Sequence, residues 1–246
     1  CNGVVLGLSG GIDSAVTAVL CKQTLGKNRV RCLFLPDETT PKSDFKHQKL
    51  LVRKFDLNCE TKDITLLVKE VERQCVLKPN KFALANIKAR IRMTLLFEYA
   101  NMNSSLVCGT SNKSEILVGY FTKYGDGGAD IMPIGDLYKT QVWELAKLLK
   151  IPKEIISKPP TAGLWHGQLD EQELKISYEK LDKILFSLER KFDINKIKKE
   201  TNATESEIKR IKKMRVDSQH KRRSPLIPKI GLRTPGLDWR SPIQYK

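Results

Sequence analysis

Gly7-Leu8-Ser9-Gly10-Gly11-Ile12-Asp13-Ser14 gathers three glycines, two hydroxyls and one carboxylate into eight residues. Adjacent glycines let a backbone come close to an anion, while the serines and the N–H groups of a following helix supply donors. That composition suits a phosphate cradle. Asp13 is out of place in a site for an anion alone, and makes sense if a cation such as Mg²⁺ sits between carboxylate and phosphate. The apolar run Val4-Val5-Leu6 before it and Ala15-Val16-Thr17-Ala18-Val19-Leu20 after it predict strand, loop and helix.

Other readings of the loop compete. An ordinary strand-to-helix turn also uses a Gly-Gly pair for tight packing. A Walker loop ends in Gly-Lys-Ser/Thr, and here Ile12-Asp13-Ser14 supplies no lysine. Gly7-Leu8-Ser9-Gly10-Gly11 fits the Gly-x-Ser-x-Gly nucleophile elbow, but only six residues precede it where that elbow needs several strands.

Further stretches carry similar chemistry. Gly109-Thr110-Ser111-Asn112-Lys113-Ser114-Glu115 follows the apolar run Leu106-Val107-Cys108, so it is expected at the same sheet edge as the first loop. There Thr110 would contact a nucleotide and Glu115 would give a second carboxylate to a metal shared with Asp13. A capped helix start at Ser111 is the plainer reading. In Phe121–Asp130 the composition is that of a turn, with Asp126 set between glycines. By composition alone the carboxylate would form the turn. The segment Asn86–Ala100 is apolar around most of its circumference, yet Arg90 and Arg92 project from it about 160° apart. A buried guanidinium needs a carboxylate or phosphate, either in an internal salt bridge or on an anionic substrate. Ser157–Leu169, stiffened by Pro159 and Pro160 and loosened by Gly163 and Gly167, reads as a lid bringing Thr161 to the site.

The elements that must position these groups alternate. Strands are expected at Val4–Leu8, Val30–Leu35, Cys59–Ile64 and Ser105–Thr110, and helices at Ser14–Leu25, Ser43–Phe55, Ile64–Gln74, Asn86–Ala100 and Lys139–Leu149. This pattern predicts an α/β fold, a doubly wound parallel sheet with helices on both faces. Ligands of such sheets sit at the carboxyl ends of the strands. We expect one domain: an α/β core with the phosphate loop over 1–150, a lid loop and charged C-terminal helices over 151–222, and an irregular tail over 223–246.

At 246 residues and 40% hydrophobic content the chain can bury a sizeable core. No apolar stretch approaches the roughly 18 residues of a membrane span, and no signal peptide precedes the first strand, so a cytoplasmic location is expected. The abrupt start leads us to expect a further helix before it in the native protein. Six scattered cysteines without Cys-x-x-Cys, and three histidines far apart, point to reduced thiols and no zinc site. Cys21, Cys32 and Cys108 lie in apolar runs and are expected to be buried. The net charge is +16, and Arg190–Arg223 holds 13 Lys or Arg against 5 Asp or Glu. Such a run is a solvated face, a nucleic-acid surface or an attractor of anionic small molecules. No interleaved aromatics accompany it, which argues against nucleic acid.

Ser9–Ser14 resembles the pyrophosphate-binding loop of the ATP pyrophosphatases, which adenylate a substrate and share the adenine nucleotide alpha-hydrolase-like fold. The full set, Asn86–Arg92, Gly109-Thr110 with Glu115, Lys123–Asp130, Pro160-Thr161-Ala162 and His220-Lys221-Arg222, closely resembles the ammonia-dependent NAD synthetases. The resemblance runs in order from Gly7 to Lys221. It implies ATP contacts at Gly7, Leu8, Ser9, Gly10, Gly11, Ile12, Asp13, Ser14, Thr110, Lys139 and Thr161, and Mg²⁺ ligands at Asp13 and Glu115. It further implies deamido-NAD⁺ contacts at Arg90, Lys123, Asp130, His220 and Lys221, the last two across a homodimer interface. ATP, deamido-NAD⁺ and ammonia would be the substrates, with Asp13, Lys139 and Asp126 in the catalytic roles. The tail Gly231–Arg240 is more similar to archaeal members. A tRNA-modifying enzyme of the same superfamily is the alternative that the positive charge favours, although the cysteine pairs and RNA-binding domain of those enzymes are not visible.

Overall fold

The computed structural model describes residues 1–232. The first two-thirds of the chain runs β1 (Gly3–Gly7), α1 (Ile12–Leu25), β2 (Val30–Phe34), α2 (Lys42–Phe55), β3 (Cys59–Thr61), α3 (Thr65–Arg73), α4 (Lys81–Met102), β4 (Ser105–Val107), α5 (Lys113–Val118), α6 (Lys139–Leu148) and α7 (Lys153–Ile156). The four strands are parallel in the order β3-β2-β1-β4, with Leu6 beside Cys32 and Val5 beside Val107. This is the expected α/β architecture.

Alternation along the strands sends side chains to two cores. Val4, Leu6, Val30 and Cys32 pack on one face with Leu51 of α2 and with Val142 and Ala146 of α6, alongside α1. Val5, Leu33 and Val107 pack on the other with Val68 of α3 and Ile91 of α4. A strand covered by helices on both faces reads as a continuous apolar run, which is why Val4-Val5-Leu6 signals a central strand. Cys21, Cys32 and Cys108 are buried free thiols, as expected.

Several boundaries differ from the sequence reading, each for a local reason. β3 stops at Thr61, and Ile64 instead binds Pro36 O through its N–H and precedes α3. β4 stops at Val107, whose N–H is taken by Asp130 Oδ2 at 2.7 Å, while Cys108 N–H still donates to Val5 O at 2.8 Å and Cys108 forms an isolated bridge to Ile131. Helix α4 begins at Lys81, not Asn86, since Asn80 Oδ1 accepts the Ala83 N–H at 2.9 Å and caps it. The helix start near Ser111 does form, but Asn112 is its cap. Asn112 accepts from Glu115 N, and the Glu115 carboxylate accepts from Asn112 N, a reciprocal box that satisfies two otherwise orphan N–H groups.

The charged C-terminal segment forms α8 (Asp170–Leu174), α9 (Tyr178–Glu189), α10 (Ile194–Thr201) and α11 (Glu205–Asp217). Their apolar faces meet around Leu181, Ile184, Ile197, Ile208 and Ile211. Trp143 of α6 packs against this cluster and against the first core, with its ring edge-on to Tyr178 at 6.3 Å. Residues 224–230 carry no regular structure, and the rest of the expected tail, from 233, lies outside the described residues. Among the described residues no helix is long and apolar enough to cross a membrane.

Candidate active site

β1 has β2 and β3 on one side and β4 on the other, so the strand order switches direction between β1 and β4. Chains leaving the carboxyl ends of two such strands diverge and open a crevice. Gly7–Ser14 leaves β1 there and Gly109–Asn112 leaves β4. The two segments frame a cleft of about 560 Å³.

The first loop is folded on its own hydroxyls. Ser9 N–H donates to Ser14 Oγ at 3.2 Å, Ser14 Oγ donates to Gly11 O at 3.0 Å, and Gly11 N–H donates to Ser9 Oγ at 3.2 Å. Gly7, Leu8, Ser9, Gly11, Ile12, Asp13 and Ser14 all line the cleft. Gly10 turns away toward α2. Its φ is +83°, and a Cβ there would lie 2.8 Å from Asp44 O, so no other residue fits without moving the loop.

Behind the loop, four residues from three segments meet. Lys139 Nζ, on the first residue of α6, reaches Asp13 Oδ2 at 2.5 Å and Glu115 Oε1 at 3.7 Å. Asn112 Nδ2 donates to Asp13 Oδ1 at 3.0 Å. Lys139 is 1% exposed. Burial works against its charge, but Asp13 and Glu115 outweigh that and hold its ammonium above the usual range. Glu115 is pushed up to about 8 by burial and by the Asp13 charge. Two carboxylates that crowd each other beside a phosphate cradle fit a hard divalent cation, which favours one or two carboxylates completed by phosphate oxygens. Among the described residues no group of three or more His, Cys, Asp or Glu could hold a metal, so any ion here would need ligands from a nucleotide or water.

The far wall comes from residues 157–169. Thr161 lines the cleft, as do Lys158, Trp165 and Gln168. The segment is pinned on three sides. Asp170 Oδ1 accepts from Ala162 N at 3.0 Å and from the Tyr120 hydroxyl at 3.1 Å. Lys88 Nζ donates to Leu164 O at 3.2 Å. Trp165 stands edge-on to Phe82 at 5.7 Å. Lys158 pairs with Asp44. Asp170 was invisible in sequence, because Asp170-Glu171 looks like an ordinary solvated helix start.

The remaining candidates divide. Of the two α4 arginines, Arg92 lines the cleft and Arg90 is exposed outside it. Arg92 donates to Leu35 O at 3.0 Å and to Asp37 Oδ2 at 2.9 Å, and Lys88 shares that carboxylate at 3.3 Å. It thus fits the internal salt-bridge reading, on a side chain that also lines the cleft. Arg90 Nε reaches the Lys123 carbonyl at 3.3 Å, placing Arg90 and Lys123 together on the outer surface. Asp130 holds the end of β4 with its carboxylate. Asp126 lines the cleft and accepts the Thr122 N–H at 2.9 Å. Asp126 is exposed toward the cleft, and desolvation by the surrounding walls raises its carboxyl above the usual range, against the Thr122 hydrogen bond and the Lys221 charge. Lys221 lines the same chain's cleft and donates to Gly119 O and Phe121 O at 2.7 and 2.8 Å, while the adjacent His220 is exposed.

A switch-point cleft with a glycine-serine loop, two strand-end carboxylates and a buried lysine defines a nucleotide-binding α/β enzyme. The NAD synthase family pattern matches residues 1–225, and the chain belongs to that family. The NH(3)-dependent NAD(+) synthetase of Methanocaldococcus jannaschii is 47% identical over 93% of this chain and 90% of its own. Among solved structures, the NMN synthetase of Francisella tularensis superposes with a TM-score of 0.82 at 34% identity, over 93% of this chain and 90% of that one. The NH3-dependent NAD synthetase of Campylobacter jejuni gives 0.77 at 35% identity, over 92% and 89%.

Proposed function

We propose that the chain amidates deamido-NAD⁺ with ammonia at the expense of ATP, giving NAD⁺, AMP and pyrophosphate. The observation that carries this reading is the meeting of Asp13, Glu115, Asn112 and Lys139 at the mouth between β1 and β4, directly beside the phosphate loop.

In this mechanism the nicotinate carboxylate attacks the α-phosphorus of ATP and pyrophosphate departs against the N–H and hydroxyl groups of Ser9–Ser14. Asp13 and Glu115 would hold a divalent ion, Mg²⁺ by its oxygen preference, which would offset phosphate charge. Lys139 fixes the position of Asp13 and adds positive charge at the base of the loop. Asp126, whose raised carboxyl is suited to proton transfer, receives the proton that ammonium must lose. Ammonia then attacks the acyl adenylate, and AMP leaves with one former carboxylate oxygen. The protein needs no nucleophile of its own, because ATP activates the carboxyl.

Thr110 and Thr161 border the nucleotide on opposite walls. Arg90, Lys123 and His220 lie on the outer surface, where they serve the dinucleotide if a second copy of the chain closes the site as a homodimer. A second reading follows from the Francisella tularensis NMN synthetase: the same chemistry on a mononucleotide precursor of NMN. Purified protein given ATP, ammonium and each acid substrate in turn separates the two by kcat/KM. NAD⁺ and AMP formed one to one from deamido-NAD⁺ support the proposal, whereas ADP as product would refute it.

A further inference from the structure

Four cationic side chains line the cleft: Arg92, Lys139, Lys158 and Lys221. All four are paired in the structure. Arg92 is held by Asp37 and Leu35 O, Lys139 by Asp13 and Glu115, and Lys221 by two backbone carbonyls. Lys158 is paired with Asp44, which belongs to the first turn of α2 and itself lines the cleft. The backbone of Asp44 is the surface against which Gly10 packs. The pair therefore sets an ammonium and a carboxylate beside the loop.

We infer that Lys158 binds the β- and γ-phosphates of ATP, and then the released pyrophosphate, by exchanging its Asp44 partner for a phosphate oxygen. The inference rests on the cleft being an ATP site. A triphosphate outcompetes one carboxylate for a compact ammonium on electrostatic grounds. Asp44 is buried, so the exchange leaves its carboxylate to two remaining supports. It sits in the first turn of a 14-residue helix, where the dipole favours negative charge, and Ser43 Oγ donates to it at 3.3 Å. Lys158 is also well based for the exchange. Ile155, three residues earlier in α7, is fully buried, and Pro159 and Pro160 follow directly, so the ammonium swings from a stiff base. The exchange would couple occupancy of the phosphate loop to the wall formed by residues 157–169.

Calorimetric binding of magnesium pyrophosphate and magnesium ATP to the whole chain tests this without requiring turnover. Binding by the unaltered chain tests the ATP reading itself, and ratios between variants test Lys158. Lys158→Met should weaken pyrophosphate about tenfold or more, the worth of a charge-assisted contact, and Lys158→Arg should recover most of it. Asp44→Asn should bind pyrophosphate at least as tightly as the unaltered chain, because a competing anion is gone. If Lys158→Met binds pyrophosphate normally, or if Asp44→Asn weakens binding as much as Lys158→Met, the pair is structural and the inference is overturned.

Discussion

The two halves of the cleft are built differently. At the phosphate end, Asp13, Asn112, Glu115 and Lys139 are locked together by short contacts within one chain, and the loop is already folded on Ser9 and Ser14. At the end proposed for the dinucleotide, Arg90 and Lys123 meet each other outside the cleft, His220 is exposed, and Asp130 spends its carboxylate on the end of β4. The first half is preorganised to stabilise charge; in the second, the candidate side chains are not gathered into the cleft. Preorganisation matters most where charge develops in the transition state, whereas groups that only select a substrate can be completed by it or by a second subunit.

The largest effect should come from the preorganised half. Asp13→Asn is near-isosteric, leaves Glu115 to neutralise Lys139, and should lower AMP release by about a thousandfold or more, the scale of a lost metal-held contact. Its melting midpoint should stay close to that of the unaltered chain. Near-normal turnover would remove the phosphate half from the mechanism. Gly10→Ala comes next. With φ at +83° and Asp44 O 2.8 Å from the new Cβ, we expect a stability loss of about 2 kcal/mol in urea unfolding and weaker ATP binding.

Arg90→Ala should behave in the opposite manner. An exposed side chain with one long contact to a carbonyl contributes little to folding, so melting should not change, while the KM for deamido-NAD⁺ should rise about tenfold with the ATP KM unaffected. If stability falls instead, the outer surface is structural and the contrast between the halves fails.

Asp126 gives the smallest effect and a signed one. Its folded-state carboxyl titrates above the usual range. Its favourable contribution is therefore present below the ordinary carboxylate range and is lost as pH rises through the raised value. Asp126→Asn should accordingly be slightly more stable than the unaltered chain at pH 7 and no more stable near pH 3, measured by thermal melting. In the same variant the amidation step should slow while ATP–pyrophosphate exchange persists.

How much was legible depended on sequence distance. The strand, loop and helix around Ser9–Ser14 are contiguous, so their chemistry could be read directly. Lys139 came only through resemblance, because 126 residues separate it from Asp13 and nothing near Tyr138-Lys139-Thr140 marks a buried ammonium. Asn112 was read past in favour of Ser111, since either side chain suits a cap; only the contact to Asp13 shows why an amide, with a donor as well as an acceptor, is needed there. Asp44 and Lys158 carried no signal, lying 114 residues apart on a helix start and a proline-rich loop. The geometry of α4 forced one arginine inward, but whether Arg90 or Arg92 faced the cleft depended on packing against Leu35 and Asp37.

The central claim is activation of a carboxylate by adenylation in this cleft. Deamido-NAD⁺ labelled with ¹⁸O in both carboxylate oxygens, turned over with unlabelled ATP and ammonium, tests it most directly. The account predicts one ¹⁸O in the phosphate of each AMP and one in the amide carbonyl of NAD⁺; AMP free of label would contradict it.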